Sequence, residues 1–225
     1  MAKPSRRMRL SQQIVEPSHE PDLSPDHKAA VLQALRWAWG EICRLHPAEV
    51  ANAHEEVVTN LLQRALNECS GGKRCASWLE DFEAVSRGAK VKTSDGRIEK
   101  QPDLHFRPPR YESVVQASDW LWAVECKIID PKHSVNFYCD QGVRRFCEGE
   151  YSAWMPSAAM LAYVRDKQEP FSALDGPLQK GYGLKRHDKG TSPDNSQSAH
   201  DRSALKPQCV DIELTHLWLA VAPGG

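Results

Sequence analysis

The sequence predicts an α/β fold, a mixed β-sheet flanked by helices on its faces. Three observations carry that reading. Two segments, 28–44 and 48–69, place apolar residues at helical spacing. One segment, Trp120–Ile129 (WLWAVECKII), is nearly all apolar, as a central strand buried on both faces would be. The order of segments is helix, hairpin, buried strand, helix, strand, long loop and strand, which is the pattern of a sheet with helices packed on it. At 225 residues the chain is long enough for one domain whose core needs no disulfides. Residues 1–25 read as a flexible N-terminal segment and 26–225 as a single domain.

Each element has a local reason. Ser24 can cap a helix and Pro25 suits its first position, so a helix begins there, with Val31, Leu32, Leu35, Trp39 and Ile42 at core spacing. The 48–69 segment is the most amphipathic in the chain, with Val57, Val58, Leu61, Leu62, Ala65 and Leu66 on one face. On its helical wheel Glu55 falls near the edge of that face and Glu56 nearly opposite it. A Gly71-Gly72 loop between Cys69 and Lys73 ends this helix. Trp78–Arg87 is a first strand candidate with Glu83 in its middle. Lys90–Thr93 and Arg97–Glu99 flank Ser94-Asp95-Gly96, a hairpin turn, and Gln101–Phe106 continues the second arm. A Pro-rich break, 107–110, precedes the buried strand. Residues 134–152 read as a helix with Val143, Phe146 and Cys147 inward, and Ala158–Val164 as a short apolar strand. The polar stretch 165–207 reads as a long, partly mobile excursion. Val210–Val221 reads as a closing strand.

Composition sets limits on function. Formal net charge is −1, so no bulk positive field marks a nucleic-acid binder. Local basic groups do occur, Arg6, Arg7 and Arg9 at the N-terminus and a diluted set of Lys180, Lys185, Arg186, Lys189, Arg202 and Lys206. The N-terminal group reads as solvated surface. The seven cysteines are an odd number without a C-x-x-C, which fits free thiols rather than a disulfide framework. No apolar run approaches the ~20 residues of a membrane span, and the N-terminus lacks a signal-peptide core. The expected location is the cytoplasm, with no membrane partner.

The chemistry-bearing feature is a conflict inside WLWAVECKII. A buried strand should not carry Glu125 and Lys127, because charges are almost never buried unless paired or bound to an ion. Two residues apart, both project from one face. Alone, the pair reads equally as an internal ion pair. Asp103 shifts the balance. It follows Pro102 on the strand just upstream, and if these strands pair it reaches Glu125. Two carboxylates beside a lysine make a hard-oxygen site suited to Mg²⁺ or Mn²⁺.

Pro102-Asp103 followed by Glu125-Cys126-Lys127 resembles the PD-(D/E)XK signature of the restriction-endonuclease-like superfamily. The resemblance covers about 48–164, with Val210–Val221 as a last strand. It implies a restriction-endonuclease-like sheet and a metal-dependent nuclease acting on DNA. It also implies roles: Asp103 and Glu125 as metal ligands and Lys127 as the group that positions or activates water. Glu55, on the preceding helix, would tune the site or hold a second metal. Gln141 and Arg145, in QGVRR with Arg144, would contact phosphate or water. Apart from the resemblance, Arg202 and His200, beside the last strand, are further candidates for phosphate contact. The stretch YCDQGVRRFCEGEYS followed by MLAYV is similar to a segment of bacterial proteins of this superfamily, some associated with phage defence. A homodimer, or a separately encoded specificity or motor partner, is compatible with this reading. Two rivals stand beside it: a non-catalytic nucleic-acid- or protein-binding module of the same fold, and a structural protein with an internal Glu125–Lys127 ion pair. Other features read as structural. His216 is expected to be a satisfied core histidine, the tryptophans to be packing residues, and Cys126 to be a small residue on the opposite face of its strand.

Overall fold

The computed structural model describes residues 22–70, 82, 84–88, 91–92, 98–107, 121–151, 155–165, 170–205 and 209–221. Several expectations fall elsewhere and lie outside the described residues: most of the N-terminal segment with its arginines, Gly71-Gly72, Glu83, the Ser94-Asp95-Gly96 turn, the prolines at 108 and 109, Trp78, Trp120, Trp154 and Lys206.

The first helix, α1, runs Pro25–Leu45, with Ser24 Oγ accepting from His27 N as its cap. The expected 48–69 helix is two helices, α2 (Pro47–Asn52) and α3 (Glu55–Ser70). Ala53 takes an extended conformation between them. Arg165 donates to Val50 O at 2.9 Å and Ala53 O at 2.6 Å, satisfying carbonyls that α2 leaves open at its end. No glycine or proline marks this break, so apolar periodicity runs straight through it. The inner face of α3 is Val58, Leu62 and Leu66; Val57, expected there, is exposed.

The expected hairpin is a separate two-stranded ribbon, β1 (Val91–Lys92) with β2 (Ile98–Lys100). The main sheet contains β3 (Leu104–Phe106), β4 (Trp122–Ile129), β5 (Ser157–Val164), β6 (Leu184–Lys189), β7 (Asn195–His200) and β8 (Ile212–Ala220). Their order is β3-β4-β5-β8-β7-β6, with β4, β5 and β8 mutually parallel and the remaining neighbours antiparallel. Within 78–87 the described residues form one isolated bridge, Ser86 with His105, rather than a strand.

Helices cover both faces. On one, α1 and α3 pack against Val124, Cys126, Ile128, Leu161 and Tyr163, where Trp39 stacks on Tyr163 at 5.3 Å. On the other lies a helical stretch made of α4 (Val135–Tyr138), a wider π turn (Cys139–Val143) and α5 (Arg144–Cys147), together with α6 (Pro170–Leu178). Val143, Phe146 and Cys147 face inward as the spacing predicts.

Two expectations need correction. The polar stretch 165–207 is not a structureless excursion: it contributes α6 and the β6–β7 hairpin, which widens the sheet. The inward positions of β7 are Asn195, Ser196, Ser198 and His200, so hydrogen bonds fill the interior where apolar side chains would normally reveal a strand. For the same reason β8 does not close the sheet but lies inside it, between β5 and β7. Among the described residues no helix is long and apolar enough to cross a membrane, and Cys43, Cys126, Cys139, Cys147 and Cys209 are free.

Candidate functional site

The site arises where β4 loses its neighbour. Strand β3 pairs with β4 only over Trp122–Val124. Beyond that point no strand among the described residues bonds the backbone groups of β4 on the β3 side, and buried N–H groups must find other acceptors. Two carboxylates supply them. Asp103, just before β3, accepts from Cys126 N at 2.8 Å through Oδ2. Glu55, in the first turn of α3, accepts from Ile128 N at 3.1 Å through Oε2. Edge capping thus draws Asp103 and Glu55 to one spot from elements far apart in the chain.

Lys127 joins them. Its Nζ lies 2.8 Å from Glu125 Oε1, 2.9 Å from Glu55 Oε1 and 3.9 Å from Asp103 Oδ2, and donates to Cys126 O at 2.7 Å. Glu125 is 2% exposed and Lys127 6%. From above, Arg145 Nη1 donates to Glu125 Oε1 at 3.0 Å and to the Tyr151 hydroxyl at 2.9 Å. Arg87 flanks Asp103 at 3.6 Å. The expected partners Asp103, Glu125, Lys127 and Glu55 are therefore brought together, and Arg145 with them.

The helix over the sheet approaches closely because of Gly142. A Cβ there would sit 2.2 Å from Met160 Cε and 3.6 Å from Lys127 Cγ. This approach sets Arg145 above Glu125 and leaves Gln141, on the π turn, exposed beside the same cleft. Such wide turns often occur at functional sites.

The electrostatics follow from burial. Desolvation, then the charge of Asp103, pushes the Glu125 carboxyl up to about 7, with Lys127 and Tyr151 pulling the other way. Burial alone would lower Lys127, but Glu125, Glu55 and Asp103 outweigh it and hold the ammonium charged. Among the described residues no three His, Cys, Asp or Glu side chains form a ready-made cation cage, because the ammonium stands where the carboxylates converge. The donor chemistry still suits a hard divalent cation. Asp103, Glu125, Glu55 and the Cys126 carbonyl all offer oxygen donors.

An open cleft of about 490 Å³ borders the cluster at the carboxyl ends of β4 and β5. Glu55, Lys127, Gln141 and Arg145 line it, with Lys132, His133, Phe137 and Arg165. Crevices at the carboxyl ends of parallel strands are the usual ligand sites of open α/β sheets.

Other expected contacts lie elsewhere. Arg202 does not meet phosphate: it is 1% exposed and donates to Val210 O at 2.7 Å, Met155 O at 2.9 Å and Phe146 O at 3.1 Å. It is an internal latch joining the segments before β8 and β5 to α5. Arg202→Leu is expected to lower stability by about 3 kcal/mol in urea denaturation, since buried carbonyls lose their donors. A change below roughly 0.5 kcal/mol, the range of ordinary surface substitutions, would contradict the latch. His200 is likewise buried, between Ser198 Oγ and Tyr182 O, and His216 is the satisfied core histidine expected, between Tyr138 and Ser198. The diluted basic set is partly neutralised, with Lys185 on Asp211 and Arg186 on Asp188 and Glu213. Cys126 faces the apolar side, as expected, while its backbone serves the site on both N–H and C=O.

Sequence reasoning missed Tyr151. Its hydroxyl sits between Arg145 and Glu125, yet in the sequence it is one aromatic in a polar stretch, with no periodicity to mark it. Comparison of the chain with family models, curated proteins and solved structures finds no match.

Proposed function

We propose that this chain is a divalent-metal-dependent nuclease of the restriction-endonuclease-like type, hydrolysing phosphodiester bonds in nucleic acid, DNA foremost. One observation carries the reading: carboxylates from three separate elements, Asp103, Glu125 and Glu55, converge on the Lys127 ammonium at the free edge of β4. Asp103 and Glu125 would hold Mg²⁺ or Mn²⁺, with Glu55 tuning the site or holding a second ion. Such an ion polarises a phosphoryl oxygen and lowers the pKa of water bound to it. Lys127, shifted aside as an ion enters among its carboxylates, would orient water for attack and stabilise the negative charge that develops. Arg145 is held by Glu125 and Tyr151 and faces the cleft, where it meets a phosphate oxygen. Gln141, exposed on the same cleft, can hold water or phosphate.

A second reading has its own support. Asp103 and Glu55 already cap backbone N–H groups, and Lys127, Arg145 and Arg87 match the three carboxylates in charge. A purely structural cluster would look the same.

The test is cleavage of linear, circular and single-stranded DNA and of RNA with Mg²⁺ or Mn²⁺, comparing wild type with Asp103→Ala and Lys127→Ala. Metal-dependent cutting, reduced at least about a hundredfold by either substitution, is expected. Cutting that survives both, or no cutting together with no divalent-cation binding by the wild type, would overturn the nuclease.

A further inference from the structure

The cleft contains groups that hydrolysis does not require. Strand β4 ends at Ile129, and the chain turns through Asp130. The Asp130 carboxylate accepts from Lys132 N and His133 N at 2.8 Å each and lies 2.9 Å from His133 Nδ1. This fixes the imidazole on the lip of the cleft. Phe137, on α4, lies beside it with ring centroids 5.3 Å apart and planes tilted by 59°. Phe137 is 40% exposed. A phenyl ring left this open on a cleft wall adds little to the core, and its partner is a ring held in place by a carboxylate.

Two cations share the cleft. Arg165 is anchored by the carbonyls of Val50 and Ala53 and forms no ion pair among the described residues. Lys132 also lines the cleft and forms none. Exposed aromatic rings next to cations match the two halves of a nucleotide, the flat base and the phosphate, and the carboxylates of Glu55, Glu56 and Asp130 line the same cleft.

We propose that this cleft binds an unpaired strand of nucleic acid, with a base stacked on Phe137 beside His133 and flanking phosphate on Arg165 and Lys132. This rests on the nuclease reading for its substrate class and adds that the strand entering the site is single. In a duplex each base face is covered by its neighbours, so a protein ring can stack only on a base that is unpaired, flipped or terminal. The cleft is of a size that holds small ligands. Stacking tolerates any base, so this contact selects strandedness rather than sequence.

The test is binding of labelled oligo-dT, oligo-U and a blunt mixed-sequence duplex of equal length, measured by anisotropy with EDTA so that nothing is cut. Wild type, Phe137→Ala, Phe137→Trp and Asp103→Ala are compared. One or both single strands should bind more tightly than the duplex. Phe137→Ala should weaken single-strand binding by roughly 5- to 100-fold while leaving duplex binding unchanged, and Phe137→Trp should restore it. Asp103→Ala should retain that preference, so the strand site stands even if the chain never cuts. Duplex bound as tightly as single strands, Phe137→Ala binding like wild type, or no binding to any of the three would overturn the proposal. The first two outcomes leave the nuclease itself intact.

Discussion

Replacing Lys127 with methionine is expected to destabilise the metal-free protein by about 3–5 kcal/mol, to abolish cleavage, and to make the fold strongly dependent on a divalent cation. The ammonium is the shared counter-charge of Glu125, Glu55 and Asp103. Removing it leaves Glu125 buried with only Arg145 and Tyr151 as partners. Breaking a buried pair from one side is costly because the remaining charge cannot return to water. Wild type must displace or shift its ammonium to admit a cation among the carboxylates, whereas the variant need not. Mg²⁺ or Mn²⁺ at a hundred times its Kd would add about 2.7 kcal/mol, so the variant's melting temperature should rise more steeply with metal than the wild type's. Thermal melts with and without the ion measure this directly. A variant that is destabilised but gains nothing from metal would mean that Glu125–Lys127 is an internal ion pair, and the nuclease reading fails.

The site was more legible in the sequence than the fold around it, and the reason is physical. Charged residues at i and i+2 in an apolar strand contradict their surroundings, and such contradictions are visible without a structure. Glu125 and Lys127 announce themselves in this way, and Asp103 follows from the pairing expected of neighbouring strands. Glu55 was placed correctly on the helical wheel, but its position depends on something the wheel does not contain, the break at Ala53 that puts Glu55 in the first turn of α3. The carbonyls that break leaves open are satisfied by Arg165, more than a hundred residues away.

The β6–β7 hairpin was illegible for the opposite reason. Its inward side chains are serine, asparagine and histidine, which look like a loop until their partners are known. Arg202 shows the same limit: an arginine in a polar stretch reads as surface, and partners from other segments, the carbonyls of Val210, Phe146 and Met155 among them, make it a buried latch. Local patterns reveal residues that conflict with their neighbours in sequence. They do not reveal residues whose polarity is satisfied from afar.

That polar interior leads to the other large effect, a loss of stability in mild acid. The hydrogen bonds of the buried network fix where its protons lie. Tyr182 O can only accept, so His200 Nδ1 carries a proton and its Nε2 accepts from Ser198. Ser198, having donated, accepts from His216 Nε2, and Tyr138 donates to His216 Nδ1. With both imidazoles neutral every bond is made; an added proton finds no acceptor. Burial accordingly lowers His200 to about 4 and His216 well below its ordinary value. Burial also lowers His105 to about 4. Each of these groups binds its proton more readily in the unfolded chain. The stability it contributes is present above about 6.5 and is lost as pH falls toward 4. For His200 and His105 the loss at pH 5 is about 2 kcal/mol each. Glu125 has the opposite sign. Its folded value of about 7 lies above the ordinary 4.5, so its contribution is present at low pH and lost as pH rises through 7. At pH 5 it offsets roughly one of the two histidines. Urea denaturation between pH 8 and 5 should therefore show a loss that deepens in Glu125→Gln, where the opposing group is gone, and that shrinks when His200 is replaced by glutamine. A stability that stays level or rises toward pH 5 in Glu125→Gln would mean that the buried histidines accept protons freely, and the directional network would be wrong.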